Sequence, residues 1–262
     1  MIRLEKISKA FGSTVVFREL DLTIERGKTT VILGPSGTGK SVLLKHIIGL
    51  LQPDAGRVYL DGEDITNLRG RAREPLMHRF GFVFQHSALF DSMNVFDNLA
   101  FGLRENHLCA TAEIPARVAR ELQRVELSGI EEKMPAELSG GMQKRVGLAR
   151  ATILEPEIIL YDEPTTGLDP QTTVHINRLI VRAKEALGST VVIVTHDVQS
   201  AMEMADTIAF LADGGIVAAA SPAALCGNPE PRLQAFLNAR GDVCAHLPHK
   251  LEHVGPGAPA DR

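Results

Sequence analysis

The sequence predicts an α/β fold built around a mostly parallel sheet. Short segments rich in β-branched and apolar residues recur, and several are apolar at every position, as strands buried on both faces are. Segments with helical spacing lie between them, as crossover helices do. The predicted strands are residues 2–7, 20–24, 29–33, 57–60, 80–84, 158–161, 190–194 and 207–211, and the predicted helices include residues 41–51, 143–154 and 172–187.

Residues 87–156 are predicted to form a helical subdomain inserted into the sheet domain. Strand signals are sparse there, and residues 95–103 and 114–126 carry apolar side chains at helical spacing. Further on, Gly214 and Gly215 indicate a turn in a short hairpin, and a last helix is predicted at 231–239. We therefore expect one domain over residues 1–240. Residues 241–262, rich in Pro, Gly, His and Ala, are typical of a tail that is disordered unless a partner holds it.

Composition disfavours several classes of protein. The 262 residues carry a formal net charge of -4, so there is no basic field for a phosphate backbone and nucleic acid is not an expected partner. We expect no secretory signal and no transmembrane helix, because apolar runs of sufficient length are lacking. Cys109, Cys226 and Cys244 are odd in number and widely spaced. We therefore expect neither a disulfide framework nor a metal knuckle, and a reducing compartment.

A phosphate-binding loop is predicted between strand 29–33 and the helix that follows. The pattern GxxxxGK[ST] is formed by Gly34, Pro35, Ser36, Gly37, Thr38, Gly39, Lys40 and Ser41, and Val42 comes next. Such a loop directs backbone N–H groups at phosphate oxygens, and the helix N-terminus adds a positive dipole. We expect ATP here, with Lys40 at the β and γ phosphates and Ser41 on Mg²⁺. A chance glycine-rich turn would lack the flanking strand and helix.

Two carboxylates, Asp162 and Glu163, follow the apolar strand 158–161. A parallel strand brings such residues to the carboxyl edge of the sheet, where the phosphate loop is also expected. Asp162 is predicted to hold the metal through water, and Glu163 to polarise the attacking water as general base. Two acids after an apolar strand more often form an exposed strand end. The phosphate loop favours the catalytic interpretation.

A second anion site is predicted at the start of helix 143–154. The segment contains Leu138, Ser139, Gly140, Gly141, Met142 and Gln143, which offer backbone N–H groups at a helix N-terminus. Taken by itself, this is an ordinary helix start. A chain has little reason, however, to carry two anion sites for one nucleotide. We therefore expect a two-fold homodimer in which each copy completes the other's site around two ATP molecules.

In this order the motifs resemble those of an ABC-type nucleotide-binding domain, over residues 1–239. The resemblance implies a P-loop NTPase of ABC type, whose mostly parallel core sheet carries an antiparallel β subdomain and an inserted helical subdomain. It implies that Phe11 stacks on adenine, where the family more often has tyrosine. Gln85 is implied to contact Mg²⁺ and to relay its state to the helical subdomain. Residues 138–143 match the family signature, Asp169 the loop that couples the two sites, and His196 the switch histidine at the γ-phosphate.

More detailed similarity points to the ATPases of Mla-type transporters, through residues 39–46, 84–93 and 231–238. This resemblance implies ATP-driven phospholipid trafficking between bacterial membranes, at the cytoplasmic face of the inner membrane. The implied partners are a second copy of the ATPase, two copies of a permease, an MCE-domain protein and a small STAS-domain subunit. After Asn238 the chain departs from the family, which commonly continues with Gly and an Asp-Gly-Pro element.

Other functions stay open at this point. An importer of a polar solute such as an amino acid would use the same motor, with a binding protein in place of the MCE protein. A free-standing ATP-dependent regulator would not need Glu163 and His196 together. Residues 91–103 resemble the face that docks a permease, although Phe96, Leu99 and Phe101 would also serve as core of the helical subdomain.

Overall fold

The computed structural model describes residues 1–239 together with Val243 and Cys244. Within these residues, ten strands form two sheets: β1 (Ile2–Phe11), β2 (Thr14–Ile24), β3 (Thr29–Leu33), β4 (Ala55–Leu60), β5 (Glu63–Asp64), β6 (Phe80–Val83), β7 (Ile158–Asp162), β8 (Thr190–Thr195), β9 (Thr207–Ala212) and β10 (Gly215–Ala220). The first sheet has the order β2-β1-β4-β5 and is antiparallel. The second has the order β10-β9-β3-β8-β7-β6. The predicted α/β class is confirmed.

The second sheet is parallel except for the hairpin of β9 and β10. Every residue of β3, β7 and β8 is buried, which explains why these strands are apolar without alternation. In the register, Leu33 of β3 pairs with Thr195 of β8, and Asp162 of β7 pairs with Val194. The residues that follow β3, β7 and β8 therefore lie side by side at one edge of the sheet.

Nine helices are found in residues 1–239: α1 (Lys40–Ile47), α2 (Glu74–Met77), α3 (Val95–Glu105), α4 (Ile114–Arg124), α5 (Gly140–Thr152), α6 (Pro170–Leu187), α7 (Val198–Met204), α8 (Pro222–Cys226) and α9 (Pro231–Asn238). None of them is long and apolar enough to cross a membrane. Helices α3, α4 and α5 lie between β6 and β7 in the chain and pack on one another. Leu99, Val118 and Val146 are completely buried between them.

Several short elements differ from the sequence predictions. Helix α1 ends at Ile47 instead of continuing to Leu51, because Gly49 takes a left-handed conformation with φ of 69°. The short elements β5, α2, α7 and α8 are missing from the predictions. Each has seven residues or fewer, so none contains enough turns or alternations to show a period.

Cys226 and Cys244 form a disulfide, so the expectation that the cysteines stay unpaired was wrong. Their Cα atoms lie 5.7 Å apart, within the usual range for a bridge. Helix α9 lies between the two cysteines in the chain and brings the chain back toward Cys226. The spacing of the cysteines in the sequence does not show that the chain turns back in this way. Cys109 is free. Of the predicted tail, only Val243 and Cys244 are described, and the prediction of disorder lies outside the described residues.

Candidate nucleotide-binding site

Lys40, at the start of α1, points its ammonium back into the preceding loop. Its Nζ donates hydrogen bonds to the carbonyl oxygens of Gly34 and Pro35, both at 2.9 Å. The same Nζ lies 3.6 Å from the carboxylate of Glu163, and the side chain is only 5% exposed. Burial lowers the pKa of Lys40, and the neighbouring Glu163 carboxylate opposes that shift. The ammonium is thus fixed between the loop and the carboxylates at the end of β7.

The loop between β3 and α1 can form only with glycine at particular positions. A Cβ on Gly34 would lie 2.4 Å from the carbonyl oxygen of Leu211, so β9 leaves no room for a side chain. Gly39 has φ of 95°, and a Cβ there would also clash with Val16. Pro35, Ser36 and Gly37 form the crest of the loop and are exposed. The Thr38 hydroxyl donates a hydrogen bond of 2.9 Å to the Pro35 carbonyl, which stabilises the turn of the loop. Val42, in α1, packs against the hydrophobic core.

A hydroxyl and a carboxylate meet beside this loop. Ser41 Oγ donates a hydrogen bond of 2.8 Å to Asp162 Oδ1. Burial raises the pKa of Asp162, although the hydrogen bond from Ser41 works in the opposite direction. Gln85 is half-buried and lies two positions after β6, which neighbours β7. Hydroxyl, carboxylate and amide oxygens are hard ligands of the kind that Mg²⁺ prefers, so these three residues suit that ion.

Glu163 is the centre of a small polar cluster. His196 Nδ1 lies 2.9 Å from Glu163 Oε2, and Thr166 Oγ1 donates to the same oxygen at 3.1 Å. Glu163 itself has φ of 47°, a strained conformation for a residue with a side chain. Its backbone N–H donates to the Val194 carbonyl at 3.0 Å, which holds it there. Sequence reasoning missed Thr166; the signal would have been its place three residues after Glu163.

Phe11 ends β1 with its ring 49% exposed. The ammonium of Lys9 lies 5.4 Å from the ring centroid, and Asp54 accepts hydrogen bonds from Lys9 Nζ and from the backbone of Ala10, both at 2.7 Å. Strand β2 pairs with β1, and its Phe17 lies against the loop at Gly39. The antiparallel sheet therefore packs on the phosphate-binding loop through the buried Phe17 and leaves the Phe11 ring exposed.

A second, open cleft of about 650 Å³ lies where α5 and α6 begin. Ser139 caps α5 by accepting from Met142 N, and Asp169 caps α6 by accepting from Thr172 N. The cleft is lined by Ser139, Gly140, Gly141, Met142, Arg145, Gly167, Leu168, Asp169, Gln171, Thr172 and His175. Two helix N-termini and the basic Arg145 and His175 suit an anion. The sequence motifs did not predict that Arg145 and His175 line this cleft.

Gln143, unlike Ser139, Gly140 and Gly141, does not line the cleft. Its Nε2 donates to the carbonyl oxygens of Pro135 at 3.0 Å and Leu138 at 3.3 Å. Met142, its neighbour, lines the cleft instead. Among the described residues, none of the cleft lining comes from the loop between β3 and α1. The cleft is therefore separate from the phosphate loop of the same chain.

A glycine-rich loop closed on a lysine, with paired carboxylates and a histidine at the same sheet edge, defines the class of ATP-hydrolysing P-loop proteins. Comparison with known proteins narrows this class. A family model described as ABC transporter matches residues 17–166. The chain therefore belongs to the ABC transporter family, as one of its ATP-hydrolysing subunits.

Three relatives illustrate the similarity. "Probable ribonucleotide transport ATP-binding protein mkl" of Mycobacterium leprae is 43% identical over 91% of this chain and 69% of its own length. "Intermembrane phospholipid transport system ATP-binding protein MlaF" of Escherichia coli K12 is 42% identical over 92% of this chain and 90% of its own length. The dimeric post-hydrolysis structure of the cassette MJ0796 with ADP and Pi has a TM-score of 0.78 at 33% identity, covering 85% of this chain and 99% of that one.

Proposed function

We propose that this chain is the ATPase of an Mla-type transporter that moves phospholipid between the inner and outer bacterial membranes through a separate permease. The observation that carries the proposal is one sheet edge that joins a phosphate loop, two carboxylates and a histidine. The cargo is proposed from the likeness to MlaF, which extends over nearly the whole of both chains.

ATP is proposed to bind with its phosphates over the crest of the loop, Gly34 to Ser41. Lys40, already directed into that loop, would hold the β and γ phosphates by charge and hydrogen bonds. The N-terminus of α1, at Lys40, adds its dipole to the same anion. Phe11 would stack on adenine, because its exposed ring needs only a free face for that contact.

Ser41, Asp162 and Gln85 are proposed to hold Mg²⁺. The ion would neutralise charge that develops on the phosphates during hydrolysis. Glu163 would accept a proton from the attacking water as general base, since its carboxylate is held at the same edge of the sheet. His196, at 2.9 Å from that carboxylate, would orient it and contact the γ-phosphate.

A homodimer is proposed to close over two ATP molecules. The cleft at the start of α5 and α6 is separate from the phosphate loop of the same chain, so its anion would come from a second copy. Ser139, Gly140 and Gly141 would face the γ-phosphate of the partner's nucleotide, with Asp169 beside it. Gln143 would support this segment from behind, through its hydrogen bonds to Pro135 and Leu138.

Replacing Gly141 with aspartate is expected to lower ATPase activity at least about tenfold, because a carboxylate in the cleft would repel a phosphate. ATP affinity of the single subunit should change less than about twofold, since the phosphate loop is untouched. Steady-state hydrolysis and binding of a fluorescent ATP analogue would measure the two effects. Gly215→Asp, which adds the same charge at an open position of β10, is the control. Equal activity of both variants would contradict the dimer model.

An exposed aromatic pair is proposed to dock the permease. Phe90 and Phe101 are 42% and 38% exposed, and their ring centroids lie 5.1 Å apart. Leu99, which lies on α3 with Phe101, is completely buried and belongs to the core of the helical subdomain. Exposed aromatic side chains of this size are typical anchors in protein interfaces.

The double change Phe90→Ser and Phe101→Ser should reduce co-purification with the permease by at least about tenfold, because interface aromatics contribute much of the binding energy. ATPase activity of the isolated chain should stay near normal. Leu50→Ser removes another exposed apolar side chain, 52% exposed, far from this pair in sequence and serves as control. Retained co-purification in the double variant would place the permease elsewhere.

The remaining partners are proposed from the Mla resemblance: an MCE-domain protein, a small STAS-domain subunit and a position at the cytoplasmic face of the inner membrane. The second candidate is an importer of a polar solute, favoured by the likeness to mkl, whose name refers to ribonucleotide transport. Because mkl is matched over 69% of its length and MlaF over 90%, we place phospholipid first.

Isolation of the tagged chain from detergent-solubilised native membranes tests this choice. Mass spectrometry of the co-purifying material should find a permease, an MCE-domain protein and phospholipid. A permease with a solute-binding protein would favour the importer. A chain that co-purifies with no membrane protein would favour the free-standing regulator.

A further inference from the structure

Helix α5 holds the segment of residues 85–90 by two cations. Lys144 Nζ donates a hydrogen bond to the backbone carbonyl of Gln85. Six residues along the same helix, the Arg150 guanidinium donates to the carbonyls of Ser87 at 3.2 Å and Ala88 at 2.7 Å. Positions six apart in an α-helix lie about 9 Å apart along the axis and about 120° apart around it, so the two side chains hold different carbonyls of the segment. The contacts hold the backbone and are independent of the segment's side chains.

Between these two cations the helix and the segment are in close contact at Gly147. A Cβ on Gly147 would lie 3.1 Å from Ser87 Cβ, so a larger residue would push the segment away. Ser87 and Ala88 have φ of 59° and 46°, and two consecutive left-handed residues with side chains are strained. Such a conformation persists only where surrounding contacts impose it. The hydrogen bonds from Lys144 and Arg150 supply those contacts.

Lys144 has an environment that packing does not explain. The side chain is only 8% exposed, and burial lowers its pKa, whereas Asp162 and Glu163 act to raise it. Within the described part of the chain, no carboxylate lies within ion-pair distance of its ammonium. A buried cation bound to a carbonyl is a poor choice for stability, since an apolar side chain would avoid the desolvation. Its hydrogen bond to the Gln85 carbonyl therefore points to a role in holding that residue.

The two ends of segment 85–90 face different parts of the molecule. Gln85, at one end, is one of the three residues proposed to hold Mg²⁺. Phe90 belongs to the exposed aromatic pair, its ring lies 5.4 Å from the Arg150 guanidinium, and its N–H donates to Asn98 Oδ1 at 2.8 Å. Helix α5, which forms hydrogen bonds to this segment, begins at the cleft that would receive the nucleotide of the second copy. One helix therefore contacts all three places.

We propose that Lys144 is a positioning residue for Gln85: its ammonium holds the Gln85 backbone carbonyl in place, while Arg150 holds the carbonyls of Ser87 and Ala88 in the strained segment. The proposal rests on the proposed ATPase function. When Lys144 releases the Gln85 carbonyl, the segment relaxes toward an unstrained backbone and the Gln85 side chain leaves its place. ATP still binds, because the phosphate loop makes no hydrogen bond to this segment.

The variants Lys144→Met and Lys144→Gln separate the hydrogen bond from general packing. Methionine has a similar length and cannot donate, whereas glutamine is uncharged but can donate to the Gln85 carbonyl. In Lys144→Met, hydrogen exchange of the nucleotide-free protein should be at least about tenfold faster across residues 85–90. Its kcat should fall about tenfold at unchanged KM for ATP. Lys144→Gln should recover a part of both losses, and Lys133→Gln, at an exposed site, should match the wild type.

Because exchange is measured without nucleotide, it tests whether Lys144 holds the segment of residues 85–90 even if the wild-type chain proved inactive. Unchanged exchange in Lys144→Met would overturn the proposal. A fall in kcat without faster exchange at 85–90 would assign Lys144 to the carboxylates instead. An equal loss of ATP affinity and kcat, or no recovery in Lys144→Gln, would contradict a positioning role.

Discussion

Replacing Glu163 with glutamine is expected to lower kcat for ATP hydrolysis at least about 100-fold and to leave ATP bound. Glutamine keeps the size of the side chain and can still accept from Thr166, which donates to the present carboxylate at 3.1 Å. It loses the negative charge that would take the proton from water. With ATP and Mg²⁺ present, the variant should therefore accumulate as a closed dimer. Steady-state hydrolysis and size-exclusion chromatography measure the two outcomes.

The control for this variant is Glu105→Gln, because Glu105 is an exposed carboxylate at the end of α3. It should keep normal turnover and show no additional dimer. Near-normal hydrolysis by Glu163→Gln would assign the general base to another group. A variant that neither hydrolyses nor binds ATP would instead indicate damage to the loop, since Lys40 lies 3.6 Å from the same carboxylate.

Replacing Lys40 with alanine is expected to weaken ATP binding by about 10- to 100-fold and to abolish measurable hydrolysis. The reason is the loss of a buried cation whose hydrogen bonds to an anionic phosphate are charge-assisted. Without Lys40, the buried carboxylates of Asp162 and Glu163 would also repel the phosphates more strongly, because a neighbouring positive charge is lost. Isothermal titration with ATP measures the affinity directly.

Lys28→Ala is the matched control for this second change, because Lys28 is exposed and lies just before β3. It should bind ATP like the wild type. Thermal unfolding of both variants would verify that they fold, since removing a buried ammonium relieves a desolvation penalty as well as its contacts. Unchanged affinity in Lys40→Ala would exclude this lysine from the phosphate contacts.

Much of the site follows from the sequence because its parts are local. The loop Gly34 to Ser41 and the pair Asp162 and Glu163 each lie next to a buried strand, and parallel strands bring their carboxyl ends together. The register of β3, β8 and β7 brings the loop and the two carboxylates together, and Ser41 donates a hydrogen bond to Asp162 there. Knowledge of strand type and residue type was sufficient for this step.

Other parts depend on contacts between segments far apart in the sequence. The hydrogen bond from Lys144 to the Gln85 carbonyl joins residues 59 positions apart, and such a contact leaves no periodic pattern in the sequence. The disulfide of Cys226 and Cys244 depends on the return of the chain through α9. Gln143 shows a different difficulty: each helix residue is rotated by about 100°, so Met142 faces the cleft and its neighbour faces the preceding loop. A motif identifies a segment but does not fix the direction of each side chain.

The pairing of β3 with β8 has a consequence for synthesis of the chain. The phosphate loop follows Leu33, yet β3 lies between two strands that are made much later, β8 and β9. A chain emerging from the ribosome therefore exposes its phosphate loop long before the loop has a sheet to support it. Pairings between such distant segments form slowly. The nucleotide site is thus among the last parts of the molecule to be completed, and an interrupted chain ending before residue 190 carries the loop without β8, the strand that places His196.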